Sequence, residues 1–151
     1  MIRAAVLTVS DRSAAGTRED RSGPVAVAAL RDAGFSCDEA LIIPDGADSV
    51  ERAITAPVLA GVRGLGPRDE TPEGPSRVLT RPIPGIAEEL RRIGTAQMPT
   101  GMISRAVAGV VDPHGALVVN LPGSPGGVRD GMPVIVSIAA HVIEQVAGGD
   151  H

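Results

Sequence analysis

The sequence predicts an α/β domain on a mostly parallel sheet, and three observations carry that prediction. Short apolar strands alternate with helical segments along the chain, the order expected when helices carry the chain between neighbouring strands. Each apolar stretch is closed by a polar turn, most of them bearing glycine or proline, the residues that punctuate regular structure. The 151 residues are 43% hydrophobic and 21% charged, enough to bury a core without disulfides. A single domain over residues 1–151 is therefore expected.

Ile2–Val9 is a short apolar run ended by Ser10-Asp11-Arg12, which reads as a buried strand. Polar Ser13–Ser22 follows as a loop, and Gly23-Pro24 opens a helix whose apolar positions Val25, Val27, Ala28, Leu30 and Ala33 stop at Gly34. Phe35–Ile43 reads as a second strand, closed by Pro44-Asp45-Gly46. Asp48 or Ser49 can cap the next helix, which carries Val50, Ala53 and Ile54 on one face. Gly64–Ser76 is too polar and too rich in glycine and proline for core, so a loop is expected there. Pro84-Gly85 begins a helix with Ile86, Leu90 and Ile93 on its apolar face. Ala106–Val111 and Ala116–Leu121 pair about an Asp112-Pro113-His114-Gly115 turn. Gly126–Ala147 closes the chain as a mainly apolar helix, on which His141 is expected to be buried.

Composition excludes several kinds of chemistry. All 14 basic residues are arginine, which removes Schiff bases, pyridoxal anchoring and the Walker A lysine. Phe35 is the sole aromatic residue and the net charge is −4, so neither base stacking nor a polyanion-coating surface is available, and no nucleic-acid partner is expected. No apolar run approaches the ~20 residues of a membrane span. The start of the chain carries no export signature, and the lone Cys37 offers no disulfide or CxxC site. A cytoplasmic protein with no membrane partner is expected.

In open α/β sheets ligands bind beyond the carboxyl ends of the strands, so the polar turns hold the candidate residues. Gly64–Glu73 contains glycines at 64 and 66 whose N–H groups can approach an anion, Arg68 as a phosphate clamp, Thr71, and Asp69 as a carboxylate able to hold Mg²⁺. A solvated surface loop accounts for the same composition equally well. Asn120-Leu121-Pro122-Gly123-Ser124-Pro125-Gly126-Gly127 links an apolar strand to a helix, offering free N–H groups to an anion at the helix start. It is neither a GxGxxG fingerprint nor a P-loop, and a tight strand-to-helix turn explains it as well. Asp45, Ser10, Arg12 and the Ser104-Arg105 pair each have an ordinary reading as turn or strand-end residues. Spacing suggests no Ser/His/Asp triad, and one cysteine with three histidines makes zinc a poor fit.

Taken in order, these turns resemble the molybdopterin adenylyltransferase family (MogA/MoaB-like proteins and the gephyrin G domain). The matching blocks are Thr8-Val9-Ser10-Asp11-Arg12, Asp20-Arg21-Ser22-Gly23-Pro24, Pro44-Asp45, Gly66-Pro67-Arg68-Asp69-Glu70-Thr71-Pro72-Glu73, Ile83-Pro84-Gly85-Ile86-Ala87-Glu88, Ser104-Arg105 and Asn120-Leu121-Pro122-Gly123-Ser124-Pro125. Each block is weak alone, but the ordered set is specific and spans nearly the whole chain. The resemblance implies a three-layer α/β/α fold assembled as a homotrimer. It implies transfer of AMP from ATP to the terminal phosphate of molybdopterin, with Mg²⁺ and release of pyrophosphate. Asp45 and Asp69 are then the critical, metal-binding acids. Ser10, Arg12, Gly64, Gly66, Arg68, Thr71, Ser104, Arg105, Asn120, Pro122, Gly123 and Ser124 bind substrate or nucleotide. Other molybdenum cofactor biosynthesis proteins are candidate partners. The apolar Val134–Val146 segment also argues for a homotrimer, because a helix apolar all round needs a neighbour or its own domain to cover it.

One departure bears on activity. The family carries an apolar strand and a Thr-Thr-Gly-Gly-Thr-Gly turn before its Gly-x-x-Pro-Arg-Asp segment, whereas here Val62-Arg63 runs straight into Gly64-Leu65-Gly66-Pro67. A central strand is expected to be missing, or about eight residues to belong between Arg63 and Gly64, since a strand takes ~5–6 residues. Two readings of a different kind follow: a non-catalytic molybdopterin-binding scaffold, and a nucleotide pyrophosphatase.

Overall fold

The computed structural model describes residues 1–56, 64–65 and 73–148. Strand β1 (Arg3–Val9) lies inside the sheet, with parallel partners on both sides. Its alternating side chains serve two faces. Ala4 and Val6 join the core formed with helices α2 (Gly23–Asp32), α5 (Pro84–Gln97) and α6 (Pro125–Val146), while Leu7 and Val9, of opposite parity, are also buried. A short helix α1 (Asp11–Ala14) follows β1, and helix α3 (Ala47–Thr55) packs with α4 (Glu73–Val78). The result is the three-layer α/β/α arrangement expected from the sequence.

The described strands run in the order β2 (Ser36–Cys37), β1, β4 (Gly64–Leu65), β7 (Ala116–Val119), β6 (Ala108–Val111), β5 (Arg81–Pro82), with β3 (Leu41–Ile43) also on β1. The β1, β4 and β7 contacts are parallel, and β6 runs antiparallel to both β5 and β7. The expected hairpin about Asp112–Gly115 is present.

Four expectations are corrected. Phe35–Ile43 is not one strand. Arg3 pairs with Ser36 but Leu7 with Leu41, so one extra residue separates the two registers, as in a bulge. Neither Asp48 nor Ser49 caps α3: Gly46 holds that position, Asp48 pairs with Arg77 at 2.6 Å, and the Ser49 hydroxyl donates to the Pro44 and Gly46 carbonyls. The segment read as loop from Gly64 to Ser76 contains both β4 and the start of α4. Gly74 permits α4, since a Cβ there would come within 2.7 Å of the Val50 side chain. Finally, His141 is exposed and hydrogen-bonds Gln145 at 2.9 Å. It lies on the outer side of α6, opposite buried Ile135, Ala139 and Ile143.

The expectation of an absent central strand gives way as well. Gly64 pairs with Ala5 and Leu65 with Val6, and Leu65 also pairs with Val119. Two residues thus occupy the position between β1 and β7. The Arg63–Gly64 junction, where additional residues were expected, lies outside the described residues.

Candidate functional site

Asn120 continues the β6–β7 ladder by one unusual step. Its own N–H donates to the Val107 carbonyl at 3.1 Å, but the Val107 N–H is taken by the Asn120 side-chain Oδ1. The side chain thus substitutes for a backbone acceptor and frees the chain to turn away at Leu121. Asn120 is 7% exposed, and its Nδ2 group has no partner among the described residues. Buried donors of this kind are normally satisfied, so this amide is a site for an acceptor.

The turn after Asn120 leads into α6, where Ser124 caps the helix by accepting from the Gly127 N–H at 3.0 Å. Ser104, Arg105, Asn120, Pro122, Gly123 and Ser124 together line one cavity of about 550 Å³. Six of the sequence-selected residues are therefore brought together. The other wall is the C-terminal end of α5 and a 3₁₀ turn, Pro99–Ile103, where Gly94, Gln97, Met98, Thr100, Gly101 and Ile103 contribute. Gly101 sits so close to α5 that a Cβ would fall 2.7 Å from the Gly94 carbonyl oxygen. Arg91 of α5 donates to the Ser104 carbonyl at 3.1 Å and fixes the loop that presents Arg105.

Arg105 is the only cation among the described residues lining this cavity. It ion-pairs with Glu73, the first residue of α4, at 2.6 Å. Hydrogen bonding to its own backbone N–H, and then to Arg105, holds the Glu73 carboxyl below the usual carboxylate range. Asp130 of α6 also reaches the cavity. The sequence singles out Glu73 only as part of a motif, Thr100 only within the run that ends in Ser104-Arg105, and Gln97 and Asp130 not at all. A local pattern carries no signal for a residue whose relevance comes from a fold contact such as Glu73–Arg105, 32 positions apart.

A smaller cavity of about 140 Å³ adjoins through Gly123 and is lined by Thr8, Ser10, Asp20 and Ser22 among others. Ser10 is buried, caps α1 by accepting from the Ser13 N–H at 3.3 Å, and donates its own N–H to the Ile43 carbonyl. Asp20 accepts from Thr8 Oγ1 and from the N–H groups of Ser22 and Gly23, while the Ser22 hydroxyl donates to the Gly123 carbonyl at 2.7 Å. These bonds tie the β1 turn to the Asn120 turn. Arg12 is exposed at the rim of α1 and does not line either cavity.

Asp45 lies on a third concavity with Ser49 and Arg77, and is joined to Asp11 by a pair of hydrogen bonds. Gly64 is a strand residue, described by its backbone pairing alone. Gly66, Arg68, Asp69 and Thr71 lie outside the described residues. Among the described residues no three His, Cys, Asp or Glu side chains cluster as a metal cage, and no helix is long and apolar enough to cross a membrane.

Comparison with known proteins adds the following. Residues 5–141 match the family described as "Probable molybdopterin binding domain". The molybdenum cofactor biosynthesis bifunctional protein of Synechococcus elongatus is 35% identical over 98% of this chain, which spans 48% of that protein. The chain thus covers about half the length of that relative. The molybdopterin adenylyltransferase of Helicobacter pylori is 28% identical, over 97% of this chain and 89% of its own. Among solved structures, the molybdopterin biosynthesis Mog protein from Mycobacterium ulcerans superposes with a TM-score of 0.86 at 38% identity, covering 97% of this chain and 99% of that one.

Proposed function

The chain belongs to the probable molybdopterin binding domain family, and from that premise we propose that it transfers AMP from Mg-ATP to the terminal phosphate of molybdopterin. In this reaction a terminal phosphate oxygen of molybdopterin forms a bond to the α-phosphorus of ATP. The bond between that phosphorus and the α–β bridging oxygen breaks, and pyrophosphate leaves. The nucleophile is already an anionic oxygen, so the protein needs to supply positioning and charge neutralisation in place of an activated side chain.

The observation that carries the reading is the cavity floor. The buried Nδ2 group of Asn120, without a partner among the described residues, the Arg105 guanidinium and the N-terminus of the 22-residue helix α6 line one space. All three are donors or positive ends, the complement of a phosphorylated ligand. The naming of relatives as molybdopterin adenylyltransferases supports the same reading.

Mg²⁺ fits the residues in the way it usually binds, through one or two carboxylates and the substrate's phosphates. Asp45, and Asp69 by resemblance, are the carboxylates that would hold it, and the ion would offset phosphate charge at the reacting centre. Asp45 meets the requirement of a free oxygen, since Oδ1 has no partner among the described residues. Ser10, Arg12, Gly64, Gly66, Arg68 and Thr71 are assigned to substrate and nucleotide on the resemblance.

We further propose a cytoplasmic homotrimer that works with other molybdenum cofactor biosynthesis proteins and binds neither nucleic acid nor membrane. The Val134–Val146 helix is a weak ground for assembly, because its apolar face is buried within the chain. A better ground is the 3₁₀ turn and the residue before it, where Met98, Met102 and Ile103 are 61%, 62% and 81% exposed.

The test is pyrophosphate release from Mg-ATP with and without molybdopterin. Release that depends on molybdopterin, with adenylylated pterin as the product, is expected. Release without pterin would establish the pyrophosphatase reading instead. The non-catalytic scaffold reading is favoured by the direct run of Val62-Arg63 into Gly64-Leu65, without the family's Thr-Thr-Gly-Gly-Thr-Gly turn. It predicts molybdopterin binding with no pyrophosphate released.

A further inference from the structure

Asp11 and Asp45 hold one another in a closed ring. The Asp11 N–H donates to Asp45 Oδ2 at 3.1 Å, and the Asp45 N–H donates to Asp11 Oδ1 at 2.9 Å. The two residues are 34 positions apart and stand at the carboxyl ends of β1 and β3. The preceding rung is the Ser10 N–H bond to the Ile43 carbonyl at 2.9 Å, so the ring extends the β1–β3 ladder by one side-chain step.

The ordinary job of an aspartate in these places is to cap the following helix, and neither does it. Ser10 already caps α1 through its hydroxyl, and the N-cap of α3 is Gly46, with no side-chain cap. The turn carrying Asp45 is secured separately, by the Ser49 hydroxyl on the Pro44 and Gly46 carbonyls. What remains for Asp11 is Asp45 itself. Its Oδ1 fixes the Asp45 backbone, and its N–H pins one carboxylate oxygen of Asp45, so that the other oxygen is presented in one orientation. Two exposed carboxylates kept this close repel, and the two N–H donors offset part of that cost.

We propose that Asp11 is a positioning residue for Asp45 and acts as a hydrogen-bond acceptor, not as a charge. The proposal rests on the reading of Asp45 as the acid that organises Mg²⁺ and phosphate. Its distinguishing consequence is that asparagine can replace Asp11, because an amide oxygen accepts the Asp45 N–H as a carboxylate oxygen does. Alanine cannot. A displacement of about 1 Å in a reacting arrangement costs on the order of 100-fold in rate, which sets the scale of the loss.

The experiment compares Asp11→Asn, Asp11→Ala and Asp45→Asn by kcat, by KM for ATP, by the Mg²⁺ concentration for half-maximal rate, and by hydrogen exchange at the Asp45 amide. Asp11→Asn is expected to keep kcat within about 3-fold and to retain amide protection. Asp11→Ala should lose ~10–100-fold in kcat, need more Mg²⁺ and lose protection at Asp45, with KM for ATP nearly unmoved. Equal losses in both Asp11 variants would make its charge essential and overturn the proposal, as would unchanged Asp45 protection in Asp11→Ala. If Asp11→Ala does not fold, Asp11→Asn decides the matter alone. Retained turnover in Asp45→Asn, with the exchange pattern as expected, would instead remove the functional reading of Asp45 and leave the ring standing.

Discussion

Asn120 gives the prediction with the widest reach, because its two polar atoms do different work. Alanine at this position removes both. The half-buried N–H of Val107, the residue just before β6, loses its acceptor, at a cost of about 1–2 kcal/mol. For a domain of this size each kcal/mol lowers Tm by ~2–4 °C, so a fall of ~2–8 °C is expected. The lost Nδ2 donor costs a charge-assisted bond to a phosphate oxygen, about 1.5–3 kcal/mol, or ~10–150-fold in kcat/KM. Aspartate separates the two effects. It retains an acceptor for Val107 but sets an anion where the cavity needs a donor, so affinity should fall below that of the alanine variant. The assay is thermal unfolding together with kcat/KM measured separately for ATP and molybdopterin. The substrate whose KM moves is the one whose phosphate the amide holds. Wild-type affinity in the aspartate variant would refute the reasoning, since no buried donor could then be facing the ligand.

Two further outcomes follow from neighbouring bonds. Asp20→Ala leaves three donors unmatched, from Thr8, Ser22 and Gly23. A loss of about 3 kcal/mol and ~6–12 °C in Tm is expected by thermal unfolding, and an unchanged midpoint would show that Asp20 does not organise the start of α2. Glu73→Gln should release Arg105 to incoming anions and lower KM for a phosphorylated substrate by ~2–5-fold, whereas a raised KM would mean that Glu73 orients Arg105. The sign with pH agrees. The Glu73 carboxyl is held below its ordinary range by its own backbone N–H and then by Arg105. The pair therefore contributes stability at neutral pH and loses it as pH falls through that lowered value, and the glutamine variant should lack this acid-dependent change in Tm.

The parts of the fold legible in the sequence are those that carry a local reason. The apolar run of β1, the Gly-Pro start of α2 and the hairpin about Asp112–Gly115 each satisfy their own pattern. The polar turns likewise pointed to Ser104, Arg105 and Asn120, now found on one cavity. Strand β4 was not legible, because two residues have no period to read. It is a strand only because β1 and β7 stand on either side with ladders to complete. Helix α4 was hidden by Gly74 and Pro75, poor helix formers, of which Gly74 is needed for close packing on Val50. The partnerships of Asp11 with Asp45 and of Glu73 with Arg105 exist only once the chain has folded.

One device recurs at the carboxyl ends of the strands and links the fold to the site. A chain leaving a sheet strands a backbone N–H that must find an acceptor. At the end of β7 the acceptor for Val107 is Asn120 Oδ1, and at the ends of β1 and β3 the acceptors are Asp45 Oδ2 and Asp11 Oδ1. Asparagine and aspartate suit this place because each carries two polar atoms on one carbon. The first is committed to the backbone and fixes the rotamer. The second, Nδ2 of Asn120 or Oδ1 of Asp45, then points outward with no partner among the described residues. The ordering cost of the side chain is met in folding, so a ligand meets a donor or an acceptor already in position. This is why aspartate and asparagine should exchange at Asp11, where only the committed oxygen matters, and should not exchange at Asp45 or Asn120, where the outward atom carries the chemistry.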